Sequence, residues 1–154
     1  MRIMWDEKIM ITEKNLSILK QIANQIYDLL GSGFDECVYQ NAFTASLRRN
    51  KIEYEEQKVV EIKYLGICVG EAYIDILAHF FDERVLLELK AIGKIGEPEI
   101  NQLRTYMRLL GMHIGVLINF SQPGRSATGR IKNKPQMHLS ELEFLVIPND
   151  NRII

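Results

Sequence analysis

Apolar residues along the first third of the chain recur at helical spacing. Leu16, Leu19, Ile22, Ile26 and Leu29 form one stripe, which predicts a helix from about Thr12 to Leu30. Thr12 is a fair N-cap with Glu13 in the first turn, and Gly31 is placed to end the helix. Beyond the hinge Gly31-Ser32-Gly33 a second helical pattern runs from about Phe34 or Asp35 to Arg49. Val38, Ala42, Phe43 and Ala45 are available for its packing, and Asn50 suits a left-handed C-terminal position. From Ile52 the period drops to two and β-branched residues become frequent, with Val59, Val60, Ile62 and Tyr64 in one run. Leu65-Gly66 is a turn, so this run and Ile67 to His79 form a hairpin. A loop at Phe81-Asp82-Glu83 leads to a strand from Arg84 to Lys90, completing a three-stranded meander.

The second half alternates in type. Ala91 to Gly96, with two glycines, is expected to be a flexible connector, and Pro98 suits the first turn of a third helix ending near Gly111. Its apolar stripe is Ile100, Leu103, Met107 and Leu110. Gly115 to Phe120 is apolar almost throughout and predicts a buried strand, parallel to its neighbour because a helix joins them. Ser121 to His138 is expected to be a loop or short helix, before a last strand from Glu143 to Ile147. Helices, then a meander, then a strand–helix–strand crossover make an α/β domain with a mixed sheet.

Within Val85-Leu86-Leu87-Glu88-Leu89-Lys90, side chains alternate faces, so Glu88 and Lys90 project together while Leu87 and Leu89 point the other way. If the meander pairs in order, Asp75 lies on the adjacent strand with its carboxylate beside that of Glu88. Two converging carboxylates need a cation, and hard oxygen donors suit Mg²⁺ or Mn²⁺. Lys90 would then serve a water or the charge on a phosphate, which makes a phosphodiester hydrolysis site. On the third helix Glu99, Gln102 and Tyr106 share a face, from which Gln102 and Tyr106 could reach a phosphate or brace Lys90. Glu36 opens the second helix, where the dipole favours its charge whether or not it binds anything.

Composition narrows the class. The 154 residues, 47% of them hydrophobic, suffice for one domain with a real core, expected to span 1–154 with its core at about 12–147. The net charge of -1 advertises no nucleic-acid partner through the whole-molecule field, so such affinity must come from local patches. Arg125, Arg130, Lys132 and Lys134 form one such patch, without an intervening acid, and Arg48, Arg49 and Lys51 form another. Cys37 and Cys68 lie far apart and give neither a disulfide framework nor a zinc motif, which fits a reducing cytosol. Met1 to Ile11 carries Arg2, Asp6, Glu7 and Lys8, unlike a signal peptide. No stretch reaches the roughly 20 apolar residues that span a bilayer, so no membrane partner is expected.

Gly33-Phe34-Asp35-Glu36-Cys37-Val38-Tyr39 matches the pattern that names the GxxExxY family. It is followed in order by Asp75, Glu88-Leu89-Lys90, Gln102 with Tyr106, and Gly115 to Phe120. From about Leu16 to Arg130 the chain resembles that family, itself similar to the PD-(D/E)XK nuclease superfamily. The resemblance implies a restriction-endonuclease-like αβββαβ core, a central mixed sheet flanked by helices. It also implies Asp75 and Glu88 as metal ligands, Glu36 as an acid near the metal and Lys90 as catalytic base or electrostatic partner. Gln102 and Tyr106 would match the QxxxY element of exonuclease-like branches. Ile74 stands where some relatives carry proline, Ser121 follows Phe120 where glycine is common, and Arg130 alone remains of a basic pair.

Taken singly, each feature has a plainer origin: an acid and a lysine on one strand are usually a solvated ion pair. The ordered set favours a metal-dependent nuclease acting on DNA rather than RNA. The alternative is a nuclease-fold module for nucleic-acid binding or protein assembly with little turnover. A homodimer and an unidentified protein partner remain open at this point.

Overall fold

The computed structural model describes residues 2–122 and 142–148, with the side chains of 2–11 excepted. Helices α1 (Arg2–Leu30) and α2 (Glu36–Arg49) precede strands β1 (Glu53–Tyr64), β2 (Ile67–His79) and β3 (Arg84–Lys90). Helix α3 (Glu97–Leu110) then leads to β4 (Ile114–Asn119), and β5 (Glu143–Pro148) closes the order. The five strands form one sheet in sequence order. β1, β2 and β3 are an antiparallel meander, β3 and β4 are parallel, and β5 returns antiparallel to β4. This is the expected α/β restriction-endonuclease-like arrangement, a mixed sheet flanked by helices.

Two apolar layers cover the sheet. Leu19, Ile22, Ala23 and Ile26 of α1 and Tyr39, Phe43 and Leu47 of α2 pack with Leu87, Leu89, Val116, Ile118 and Phe120 on one face. On the other, Leu103 and Met107 of α3 meet Ile74, Leu77, Leu86, Leu117 and Ile147. The alternation that placed Leu87 and Leu89 opposite Glu88 and Lys90 is therefore realised. Gly115 sits where α3 comes nearest β4: a Cβ there would lie 2.7 Å from Met107 Sδ and 3.0 Å from Leu103 Cδ1.

Local chemistry explains the boundaries. The hairpin turn uses Leu65 and Gly66, both at positive φ (50° and 79°), the backbone a two-residue reversal of twisted strands requires. Gly111, at φ 62°, ends α3. Four expectations are corrected. α1 starts at Arg2, ten residues before the expected Thr12, because no glycine or proline between them stops a helix. Leu29 is 78% exposed, because burial along α1 ends with Ile26 and residues 28–30 are all exposed. The buried stripe of α2 is Tyr39, Phe43 and Leu47, with Ala45 outside; aromatic and leucine side chains at i, i+4 and i+8 bury more area than alanines. The left-handed residue after α2 is Lys51 (φ 58°), not Asn50 (φ -87°), which instead caps through its side chain to Ser46 O.

Tyr39 is fully buried and stacks on Phe120 with ring centroids 4.4 Å apart and planes 5° from parallel. Its hydroxyl donates to Gly31 O at 2.7 Å, so it fixes the loop before α2 as well as filling the core. Among the described residues no helix is long and apolar enough to cross a membrane.

Candidate active site

The site forms where the sheet divides. β2 and β3 pair from His79↔Arg84 to Ile76↔Leu87 and no further, while β2 continues with β1 as a two-stranded ribbon. The next position on β2 is Asp75, and its side chain takes over from the ladder: Leu89 N donates to Asp75 Oδ2 at 2.9 Å. Ile76 packs with the α1/α2 layer and Ile74 with the α3 layer. Two residues apart they would share a face in a regular strand, so the alternation reverses at Asp75.

Glu88 lies across from Asp75 and is only 3% exposed. Its Oε1 is buried with no hydrogen-bond partner among the described residues, while Oε2 lies 3.9 Å from Lys90 Nζ. Burial, and then the neighbouring Asp75 carboxylate, push the Glu88 pKa up to about 8. Burial likewise raises Asp75, opposed by the Leu89 amide and the Lys90 charge. A buried and a half-buried acid that resist ionisation side by side, one with an oxygen unpartnered among the described residues, have the donor chemistry of a hard divalent cation. The residues therefore fit a hard divalent cation. No three acidic, histidine or cysteine side chains among the described residues converge to hold an ion. The arrangement brings two carboxylates together, a number of protein carboxylates that a hard divalent cation can take alongside water and phosphate.

Both helical layers contribute. From α3, Gln102 Oε1 accepts from Lys90 Nζ at 3.0 Å, and Gln102 Nε2 donates to Tyr106 OH at 3.0 Å. The ammonium is thus oriented by a relay that runs one turn along the helix. From the other layer, Glu36 in the first turn of α2 is close enough to feel Lys90 and Asp75. Its pKa is raised by partial burial, with Lys90 lowering it and Asp75 raising it. Glu99 does not join this face chemically: its carboxylate accepts from Gly96 N at 2.8 Å and caps α3. Arg125, Arg130, Lys132 and Lys134 lie outside the described residues.

Several supporting groups left no mark in the residue pattern. The connector 91–96, expected to be flexible, is bound on several sides. Asn119, fully buried, accepts from Ile92 N (2.9 Å) and donates to Ile92 O (3.1 Å) and Glu143 Oε2 (2.7 Å). Glu143 Oε2 also accepts from Ile95 N, Ser121 Oγ donates to Gly93 O, and Phe120 N donates to Lys90 O. Gln122 Nε2 reaches Phe34 O at 2.6 Å, tying the same segment to the loop that opens α2. One strand end thereby holds both chain segments that deliver Lys90 and Glu36. A polar cluster of this kind is invisible to periodicity, although a buried-strand pattern ending in Asn-Phe-Ser-Gln was a hint.

Comparison with known proteins identifies the family of the chain. The model of the PD-(D/E)XK nuclease superfamily matches residues 13–131. Among curated proteins none matches. A crystal structure of the protein SSO0001 is similar with a TM-score of 0.48 and 17% identity, over 73% of this chain and 50% of that one. The chain thus spans about half the length of that protein. The family match covers α2, the whole meander, α3 and β4, the elements that carry the acids and the lysine, and the chain belongs to the PD-(D/E)XK nuclease superfamily.

Proposed function

We propose that the chain is a metal-dependent nuclease of the GxxExxY branch, hydrolysing phosphodiester bonds with Mg²⁺ or Mn²⁺ and acting on DNA in preference to RNA. The observation that carries this reading is Glu88, a buried carboxylate beside Asp75 whose Oε1 has no hydrogen-bond partner among the described residues and whose Oε2 lies 3.9 Å from Lys90 Nζ. Asp75 and Glu88 would hold the ion, with Glu36 at the edge of the site. When bound, the ion supplies a Lewis acid for the phosphate and lowers the pKa of a nearby water. Lys90 supplies a fixed positive charge for the phosphate oxygens as negative charge builds on them, and Gln102 with Tyr106 keeps it aimed. Glu88 itself is only 3% exposed, and a charge at so buried a position interacts more strongly than it would in water.

The rival reading, a module that binds nucleic acid without cutting it, draws on the local basic cluster Arg48, Arg49 and Lys51 at the end of α2, since the net charge of -1 gives no general attraction to a polyanion. Cleavage of labelled single-stranded, duplex and branched DNA and of RNA, in Mg²⁺, Mn²⁺ or chelator, separates the two. Product is expected from the wild type with metal and from neither Asp75→Ala nor Lys90→Ala. Salt-sensitive binding that survives Lys90→Ala, with no product in any metal, would replace the nuclease by the module.

A further inference from the structure

Gln57 is unusual in its backbone before its side chain. Its φ is +49°, in the left-handed region that an unbranched L residue away from a turn seldom adopts. The other non-glycine residues at positive φ, Lys51 and Leu65, sit where the chain reverses; Gln57 is in the middle of β1. It is exposed, so no burial of its side chain offsets the strain. The register passes from Glu56↔Ile76 to Lys58↔Ile74, which leaves Gln57 opposite Asp75 and out of the ladder. This is also where β2 parts from β3 and reverses its faces. Gln57 Nε2 donates to Gln40 Oε1 at 3.1 Å, and Gln40 stands one turn after Glu36 on α2. The Gln57 side chain in addition favours the charged form of Asp75.

We infer that Gln57 is a positioning residue for Asp75. Its left-handed backbone turns the carboxamide toward the split in the sheet, Gln40 anchors it there, and its amide holds the Asp75 carboxylate from the β1 side while the Leu89 amide holds it from β3. The inference rests on the reading of Asp75 as a metal ligand. A carboxylate restrained by two donors meets an ion with less reorganisation, and partners of metal ligands typically change affinity by about 10- to 100-fold when removed. The competing explanation is that positive φ at this position serves only to bend β1 along β2.

Gln57→Gly separates the two, because glycine accepts the left-handed backbone without strain and removes only the side chain. The experiment measures urea stability by circular dichroism and Mn²⁺ affinity by titration calorimetry for wild type, Gln57→Gly, Gln57→Ala, Gln40→Ala and Asp75→Ala. The expected result is stability for Gln57→Gly equal to or above wild type, with Mn²⁺ affinity lowered about tenfold. Gln57→Ala should lose affinity similarly and stability as well, and Gln40→Ala should show a smaller loss of affinity. Mn²⁺ affinity of Gln57→Gly within twofold of wild type would overturn the inference and leave the metal site standing. Wild type that binds Mn²⁺ no better than Asp75→Ala would instead remove the metal site, and the role of Gln57 with it.

Discussion

Replacing Glu88 by glutamine should stabilise the metal-free protein at alkaline pH. The side chain keeps its size and hydrogen-bonding capacity but no longer has to carry a charge beside Asp75. The Glu88 pKa rises from 4.5 to about 8 in the fold, chiefly by burial and then by Asp75. A group whose folded-state pKa is raised contributes stability that is fully present below its unfolded value and lost as pH rises through the folded value. For Glu88 that window runs from about pH 4.5 to somewhat above 8. A shift of this size corresponds to at most about 5 kcal/mol, and about 2–3 kcal/mol is a fairer expectation once the Asp75–Glu88 pair shares its protons and relaxes. That is a large part of the roughly 5–15 kcal/mol that holds an ordinary domain together. Urea unfolding followed by circular dichroism in chelator, at intervals from pH 5 to 9, should show wild type losing this amount relative to Glu88→Gln. Exposed groups titrate alike in both proteins and cancel from the difference. Adding Mn²⁺ at pH 9 should reverse the order, since an ion that binds only the folded wild type stabilises it by mass action. Parallel stability curves for the two proteins in chelator would refute the argument that Glu88 is a buried, proton-holding acid.

Two further substitutions test the scaffold. Gly115→Ala places a methyl 2.7 Å from Met107 Sδ and 3.1 Å from Leu103 Cγ, and should cost about 1–3 kcal/mol in urea unfolding; unchanged stability would show that α3 can back away freely. Asn119→Ala removes three hydrogen bonds and leaves the half-buried Ile92 amide without its side-chain acceptor, which should cost roughly 2–4 kcal/mol, and hydrogen exchange should rise at Ile92 and Ile95; a loss spread evenly over the chain would refute a local clamp.

Much of the fold was legible because local chemistry and tertiary packing agree. Leu65-Gly66 must reverse the chain whatever surrounds it, and Gly111 must end a helix. The acids and the lysine were legible because a strand's alternation sends Glu88 and Lys90 to one face before any neighbour is known. Choices made by tertiary contact were not. Which side of α2 faces the sheet depends on Phe120, 81 positions after the Tyr39 it stacks upon. The reach of Asn119 to Glu143 depends on β5 returning beside β4. Gln57 was least legible of all, since glutamine carries no preference for a left-handed backbone and nothing in its neighbours announces one.

The carboxylate of Asp75 completes the sheet by accepting the Leu89 amide, whereas Glu88 Oε1 has no hydrogen-bond partner among the described residues. If Glu88 holds an ion as proposed, the two acids answer to different selective pressures. A descendant that had abandoned catalysis would still suffer for losing the aspartate, because an amide in the middle of its sheet would be stranded. It would gain by exchanging the glutamate for a neutral residue. On the proposed reading of Glu88 as a metal ligand, an aspartate at this position in a related protein would record ancestry, and a glutamate at the other would record continued work.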